Sequence, residues 1–100
     1  MNAVMIATNG IFKIQYPSEV VTLRLFEAPE LQLSDLAVFQ VVVTYVNSDG
    51  VARQELDTLS REQIEYCREA ALELEGGAGL KPFSNMFKAY MAQAYWDLIK

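Results

Sequence analysis

In the first half of the chain, apolar and polar residues alternate in short runs. The segment "EVVTLRLFE" at residues 19–27 places Val21, Leu23 and Leu25 on one side, and a period of two is the pattern of a half-buried strand. The preceding "IFKIQY" alternates in the same way, and Asn9-Gly10 before it is a strong signal for a two-residue hairpin turn. With the short apolar run "AVMIA", these segments predict an antiparallel meander of three strands.

Two further runs extend this pattern. The segment "LAVFQVVVTYV" at residues 36–46 is apolar on both faces, which favours a central strand. "NSDG" at residues 47–50 supplies turn residues, and the mostly polar "VARQELDTL" that follows suits an edge strand. The sequence therefore predicts a sheet of four to five strands, a meander plus a hairpin, within residues 1–57.

After the strands, the apolar period lengthens to that of a helix. Ser60 and Gln63 have the spacing of a capping box, the predicted helix covers residues 60–75, and Gly76 is the residue type that ends helices. A last helix covers residues 84–100, with Ser84 or Asn85 as its N-cap. Strands followed by helices predict a single α+β domain over residues 1–100, in which both helices pack on one face of an antiparallel sheet.

The composition agrees with one globular domain. The chain has 100 residues, of which 52% are apolar and 21% charged, and this balance disfavours disorder. The N-terminal residues lack the basic region of a signal peptide, and no run approaches the ~20 apolar residues of a membrane helix. The one cysteine excludes an internal disulfide. We therefore expect a cytoplasmic protein that does not enter a membrane.

The net charge of −5 is concentrated in one segment, because residues 55–75 carry seven acidic and two basic residues. On a helical wheel, four glutamates fall within about 80° of one another. This acidic ridge comprises Glu62, Glu65, Glu69 and Glu73. It is either the solvated side of an amphipathic helix or a docking surface for another protein that has a basic surface. Direct binding to nucleic acid is disfavoured, because the chain has no cluster of Lys and Arg.

The ridge could also imitate the charge of a nucleic acid. One helix spaces carboxylates ~5–6 Å apart, whereas each DNA strand carries a charge every ~3.4 Å. A mimic would therefore need further acids, such as Glu55 and Asp57.

The C-terminal helix has a broad apolar face, from Met86 to Leu98, and one tryptophan outside it. On the wheel, Trp96 falls on the nominally polar side together with Ala92, Ile99 and Lys100. Tryptophan is enriched at the energetic centres of interfaces, so these four residues form a second candidate surface, for a partner or for self-association. The alternative interpretations are a helix that is buried on both sides and a Trp96 side chain that folds back over the edge of the sheet.

The chain offers little chemistry for catalysis. It has no histidine, and Cys67 lies on the apolar side of its helix among acidic neighbours, which favours core packing over a nucleophilic role. No phosphate-loop or cofactor pattern is present, and no set of metal ligands is evident. We therefore expect a protein that is not an enzyme and that holds no metal and no cofactor.

These observations predict a small, acidic, non-catalytic protein-binding module. It would occupy a partner protein through the acidic ridge, the Trp96 surface or both, in the manner of an inhibitor, an immunity protein or a phage anti-defence protein. The alternative is a structural or assembly subunit, a homodimer or a virion part, that self-associates through the C-terminal helix. A third hypothesis is a small-ligand binder with an apolar pocket between sheet and helices.

Overall fold

A computed structural model describes residues 3–27, 39–74 and 84–99. Its five strands are β1 (Val4–Thr8), β2 (Ile11–Gln15), β3 (Glu19–Glu27), β4 (Phe39–Asn47) and β5 (Ala52–Leu59), followed by the helices α1 (Arg61–Glu73) and α2 (Asn85–Ile99). The strands form one sheet in chain order, and every neighbouring pair is antiparallel. The predicted α+β fold is confirmed, and β5 lies at an edge of the sheet, as its polar residues predict.

Tight turns join β1 to β2, β2 to β3, and β4 to β5. Asn9 and Gly10 have φ angles of 48° and 82°, and positive φ at both central residues belongs to the turn type that matches the twist of a hairpin. Asn47 holds the β4–β5 turn, because its side-chain oxygen accepts hydrogen bonds from the amides of Asp49 and Val51, each at 3.0 Å. Strands joined by such short turns must be neighbours, which explains three of the four neighbouring pairs in the sheet.

The core lies between one face of the sheet and the helices. We call this side of the sheet the covered face; its buried residues are Phe12, Ile14, Val21, Leu23, Leu25, Val41, Val43 and Leu59. The other side is the open face. α2 packs against β1, β2 and β3, and α1 packs against α2 and β5. α2 is therefore the central helix, since it contacts three strands of the sheet as well as α1.

The N-termini of both helices form as their sequences predict. In the capping box, the Gln63 amide donates to the Ser60 hydroxyl (3.2 Å) and the Ser60 amide donates to the Gln63 side chain (2.9 Å). α1 ends at Glu73, because Leu74 has an extended backbone, so the helix is shorter than predicted; Gly76 lies outside the described residues. Ser84 caps α2, since its hydroxyl accepts a hydrogen bond from the Phe87 amide at 3.3 Å.

Neither described helix has the length and apolar character that crossing a bilayer requires.

Candidate protein-binding surface

The acidic ridge lies on the solvent side of α1. All four of its glutamates are exposed, and Ile64, Cys67 and Ala71 are buried on the opposite side of the helix. The predicted amphipathic arrangement of α1 is thus confirmed. At a rise of about 1.5 Å per residue, the ridge spans roughly 16 Å along the helix axis.

Two large apolar side chains that are not among the predicted surface residues flank the ridge. Tyr66 is 51% exposed and Leu72 is 43% exposed. On the wheel, Tyr66 lies about 20° from Glu73 and Leu72 about 20° from Glu65, on opposite sides of the ridge. The signal that could have found them is their position in the sequence, because both fall outside the buried stripe of α1.

The arrangement of carboxylates on α1 lowers the stability of the helix. Successive ridge glutamates are three or four residues apart, and each like-charged pair at this spacing costs about 0.2–0.5 kcal/mol. Glu73 also lies in the last turn, where the helix dipole disfavours an acid and where α1 has no basic residue. Arg61 and Arg68 are exposed on the same helix, and their charges offset part of this cost. The close spacing of the ridge glutamates remains unfavourable for the helix itself.

Further acids lie on β5, on the same side of the sheet as the helices. Glu55 and Asp57 pair with Val43 and Val41, so their side chains belong to the covered face, and both are exposed. The Tyr95 hydroxyl of α2 donates a hydrogen bond of 2.6 Å to Asp57. Burial raises the pKa of Tyr95, and the Asp57 carboxylate raises it further. This hydrogen bond links the central helix to the acidic edge strand.

Two residues before Asp57 on β5, Glu55 takes part in a polar cluster. It accepts hydrogen bonds from the Tyr45 hydroxyl and from Arg53, each at 3.2 Å, and the Arg53 guanidinium lies 3.9 Å from the centre of the Tyr45 ring. Partial burial raises the pKa of Tyr45, and Glu55 adds to this effect. The Arg53 charge therefore offsets one of the acids on β5.

The open face of the sheet has the opposite charge. Among the described strand residues whose side chains point to this face, Lys13 and Arg24 are the charged ones and none is acidic. The Arg24 guanidinium lies 5.0 Å from the centre of the Phe26 ring. Negative charge is thus concentrated on the helix side of the molecule, and the open face carries only positive charge.

The structure corrects the predicted position of Trp96. Trp96 is only 8% exposed and Ala92 is fully buried, so they belong to the core and do not form a surface patch. Ile99 is exposed, as predicted, and Lys100 lies outside the described residues. The helical-wheel prediction for Trp96 was wrong because both the sheet and α1 cover α2. A helix that is apolar on most of its circumference is a buried helix. Leu98, predicted in the core, is exposed instead.

Cys67 is fully buried in the interface of α1 with the core. Burial raises the pKa of its thiol to about 11, so the reactive thiolate is scarce at neutral pH. In the part of the chain that the structure describes, no three residues of the metal-binding types come together.

No family model, curated protein or solved structure matches this chain.

Proposed function

We propose that the chain is a non-catalytic protein-binding module whose acidic ridge docks onto a basic surface of a partner protein. The observation that carries the proposal is the exposure of four carboxylates between two exposed apolar side chains, Tyr66 and Leu72. Protein interfaces combine apolar anchors with surrounding charge in this way. The class that we propose is the inhibitor or immunity type, which acts by occupying its partner and needs no chemistry of its own.

Charge and apolar groups would have separate roles in this docking. The carboxylates attract a basic partner over a distance and accelerate association. Tyr66 and Leu72 supply the area that is removed from water once the surfaces meet. The charge of the ridge also costs helix stability, and residues kept for function are a common reason for such a cost.

The other hypotheses have less support from the described residues. Self-association through a Trp96 surface loses its basis, because Trp96 and Ala92 are buried. A small-ligand binder would need an apolar pocket. A depression of about 380 Å³ near the start of α2 is open, and Asn9, Arg24, Asn85 and Lys88 line it together with the apolar Leu25 and Phe26.

The test compares two variants of α1 in capture from a lysate of the native host. One variant changes all four ridge glutamates to Gln, and the other combines Tyr66→Ala with Leu72→Ala and keeps every charge. Bound proteins are quantified by mass spectrometry. We expect the Gln variant to capture at least about tenfold less partner, and the variant without Tyr66 and Leu72 to capture at least about fivefold less.

The matched control is Asp49→Asn with Asp97→Asn, which removes exposed acids outside the ridge and should retain the partner. Circular dichroism checks that each variant is folded. If only the Gln variant loses the captured proteins, the ridge acts as a simple ion exchanger and the docking model is wrong. If neither variant loses them, the ridge is only a solvated face.

A further inference from the structure

β1 is an edge strand that lacks the usual protection. Val4, Met5 and Ile6 are 55%, 50% and 47% exposed, and the strand "VMIAT" carries no charged residue. Edge strands normally carry charges that prevent pairing with another chain. β5, at the opposite edge, has this protection, because its exposed residues include Arg53, Glu55 and Asp57.

We propose that β1 pairs with β1 of a second copy of this chain, antiparallel and about a two-fold axis, so that the two sheets become one continuous sheet. This interface is independent of the proposed function of the acidic ridge, since it uses the opposite edge of the sheet.

The backbone of β1 presents hydrogen-bonding groups in the right places. A two-residue turn is closed by a hydrogen-bonded pair, which here is Thr8 with Ile11. Because pairs in an antiparallel ladder alternate, Val4 and Ile6 also bond to β2. The amide and carbonyl groups of Ala3, Met5 and Ala7 therefore point to the free edge.

A two-fold axis at Met5 uses all of these groups. Met5 of one copy then lies opposite Met5 of the other, and Ala3 lies opposite Ala7. Each of these pairs exchanges both of its backbone hydrogen bonds, as in any antiparallel ladder.

The side chains of β1 are compatible with a copy of themselves in this register. On the open face, Val4 lies opposite Ile6 of the second copy, and apolar cross-strand pairs of this kind stabilise sheets. On the covered face, the two Met5 side chains are neighbours. No like charges meet at the junction, because β1 has none.

The distribution of charge favours a second copy at this edge and not at the other. Each chain has a net charge of −5, but its acids are concentrated on α1 and β5, and α1 contacts β5. Two copies that meet at β1 keep these acidic regions apart. The paired sheet then ends in two charged β5 strands, so that the assembly closes as a symmetric dimer.

Sedimentation velocity over a range of concentrations tests the dimer. A five-residue pairing is a small interface, so we expect a reversible dimer with a Kd of about micromolar order. Ile6→Lys places a charge at the junction and should leave a monomer of 11.3 kDa. Leu56→Lys is the matched control, since Leu56 is an exposed open-face residue on β5, and it should remain dimeric.

Disulfide crosslinking tests the register. Opposed hydrogen-bonded residues have Cα atoms about 5.5 Å apart, which is within the range that a disulfide bridges. Met5→Cys should crosslink under mild oxidation at least about tenfold faster than Val51→Cys, although Val51, beside β5, is the more exposed of the two sites. The native Cys67 does not compete, because it is buried.

The proposal is overturned if the wild type is a monomer at all concentrations, or if Ile6→Lys dimerises as well as Leu56→Lys does. Equal crosslinking rates for Met5→Cys and Val51→Cys would also overturn it, since they would indicate random collisions. Circular dichroism shows whether Ile6→Lys is folded, and the crosslinking result decides the matter on its own if that variant is not.

Discussion

The hydroxyl group of Tyr95 forms a hydrogen bond between the central helix α2 and the edge strand β5. Removal of this hydroxyl measures how much the hydrogen bond contributes to the free energy of unfolding. Tyr95 is buried, and its hydroxyl lies 2.6 Å from the carboxylate of Asp57, 38 residues away in the chain. Tyr95→Phe deletes this hydrogen bond and keeps the ring that packs in the core. The change therefore tests the hydrogen bond with little effect on packing.

The magnitude follows from the surroundings of the two groups. Hydrogen bonds to charged groups contribute about 1.5–3 kcal/mol. Asp57 is exposed, so water can solvate its carboxylate in the variant, and the low end of this range applies. We expect Tyr95→Phe to reduce the free energy of unfolding by about 1.5 kcal/mol, which lowers the Tm of a chain of this size by roughly 6–12 °C.

The same hydroxyl predicts how stability depends on alkaline pH. Burial and the Asp57 carboxylate raise the pKa of Tyr95 in the folded state above its ordinary value of 10. Above pH 10 the unfolded chain releases this proton and the folded chain keeps it, so the free energy of unfolding falls as the pH rises. The Phe variant has no proton to lose there, and its stability should fall less steeply above pH 10.

Urea denaturation followed by circular dichroism, at pH 7 and at several values above pH 10, measures both effects. Tyr66→Phe is the control, because it deletes a hydroxyl at an exposed site and should change stability by less than about 0.5 kcal/mol. If Tyr95→Phe has no larger effect than this control at pH 7, the hydrogen bond does not stabilise the fold. If the free energy of unfolding of Tyr95→Phe falls above pH 10 as steeply as that of the wild type, Tyr95 is not a cause of the alkaline loss of stability.

Three other predictions concern single residues. Trp96→Ala should reduce the free energy of unfolding by about 3–5 kcal/mol, because the side chain is buried. In the native wild-type protein, acrylamide should quench the fluorescence of Trp96 only weakly. Strong quenching would indicate a tryptophan at the surface. Cys67, with its pKa raised to about 11, should resist a thiol reagent at pH 8 until the chain unfolds, and immediate reaction would contradict its burial. Glu73→Lys should raise the free energy of unfolding by about 0.5–1 kcal/mol, since it removes repulsion from Glu69 and places a positive charge at the C-terminal end of α1. Thermal melts would show no gain in stability if the ridge glutamates did not destabilise the helix.

The pairings of β1 with β2, β2 with β3 and β4 with β5 could be predicted from local signals, whereas the pairing of β3 with β4 could not, because a longer segment separates these two strands. Asn9-Gly10 and the "NSDG" segment leave too few residues for anything except a hairpin, and alternation fixes which side chains are buried. The capping box of α1 is equally local, because Ser60 and Gln63 are close in sequence. Features that depend on a few neighbouring residues are thus readable from the sequence.

The surroundings of α2 could not be predicted in this way. A helical wheel describes one helix, whereas the burial of Trp96 depends on both the sheet and α1. The small residues Ala89 and Ala92, both fully buried, were the available signal, since small side chains let another element approach closely. The bond from Tyr95 to Asp57 joins residues far apart in sequence and leaves no local pattern.

The two proposed surfaces lie on different edges of the molecule, and this separation gives a prediction about affinity. α1 contacts β5, and β1 lies at the opposite edge of the sheet, so that the proposed dimer would present two acidic ridges. A dimer bound to a dense array of partner molecules gains avidity of about 100-fold or more over a single contact. Ile6→Lys should therefore weaken binding to partner immobilised at high density and leave binding at low density unchanged, as measured by surface plasmon resonance. Equal loss at both densities would mean that Ile6 contacts the partner directly, and no loss at either would mean that the ridges act one at a time.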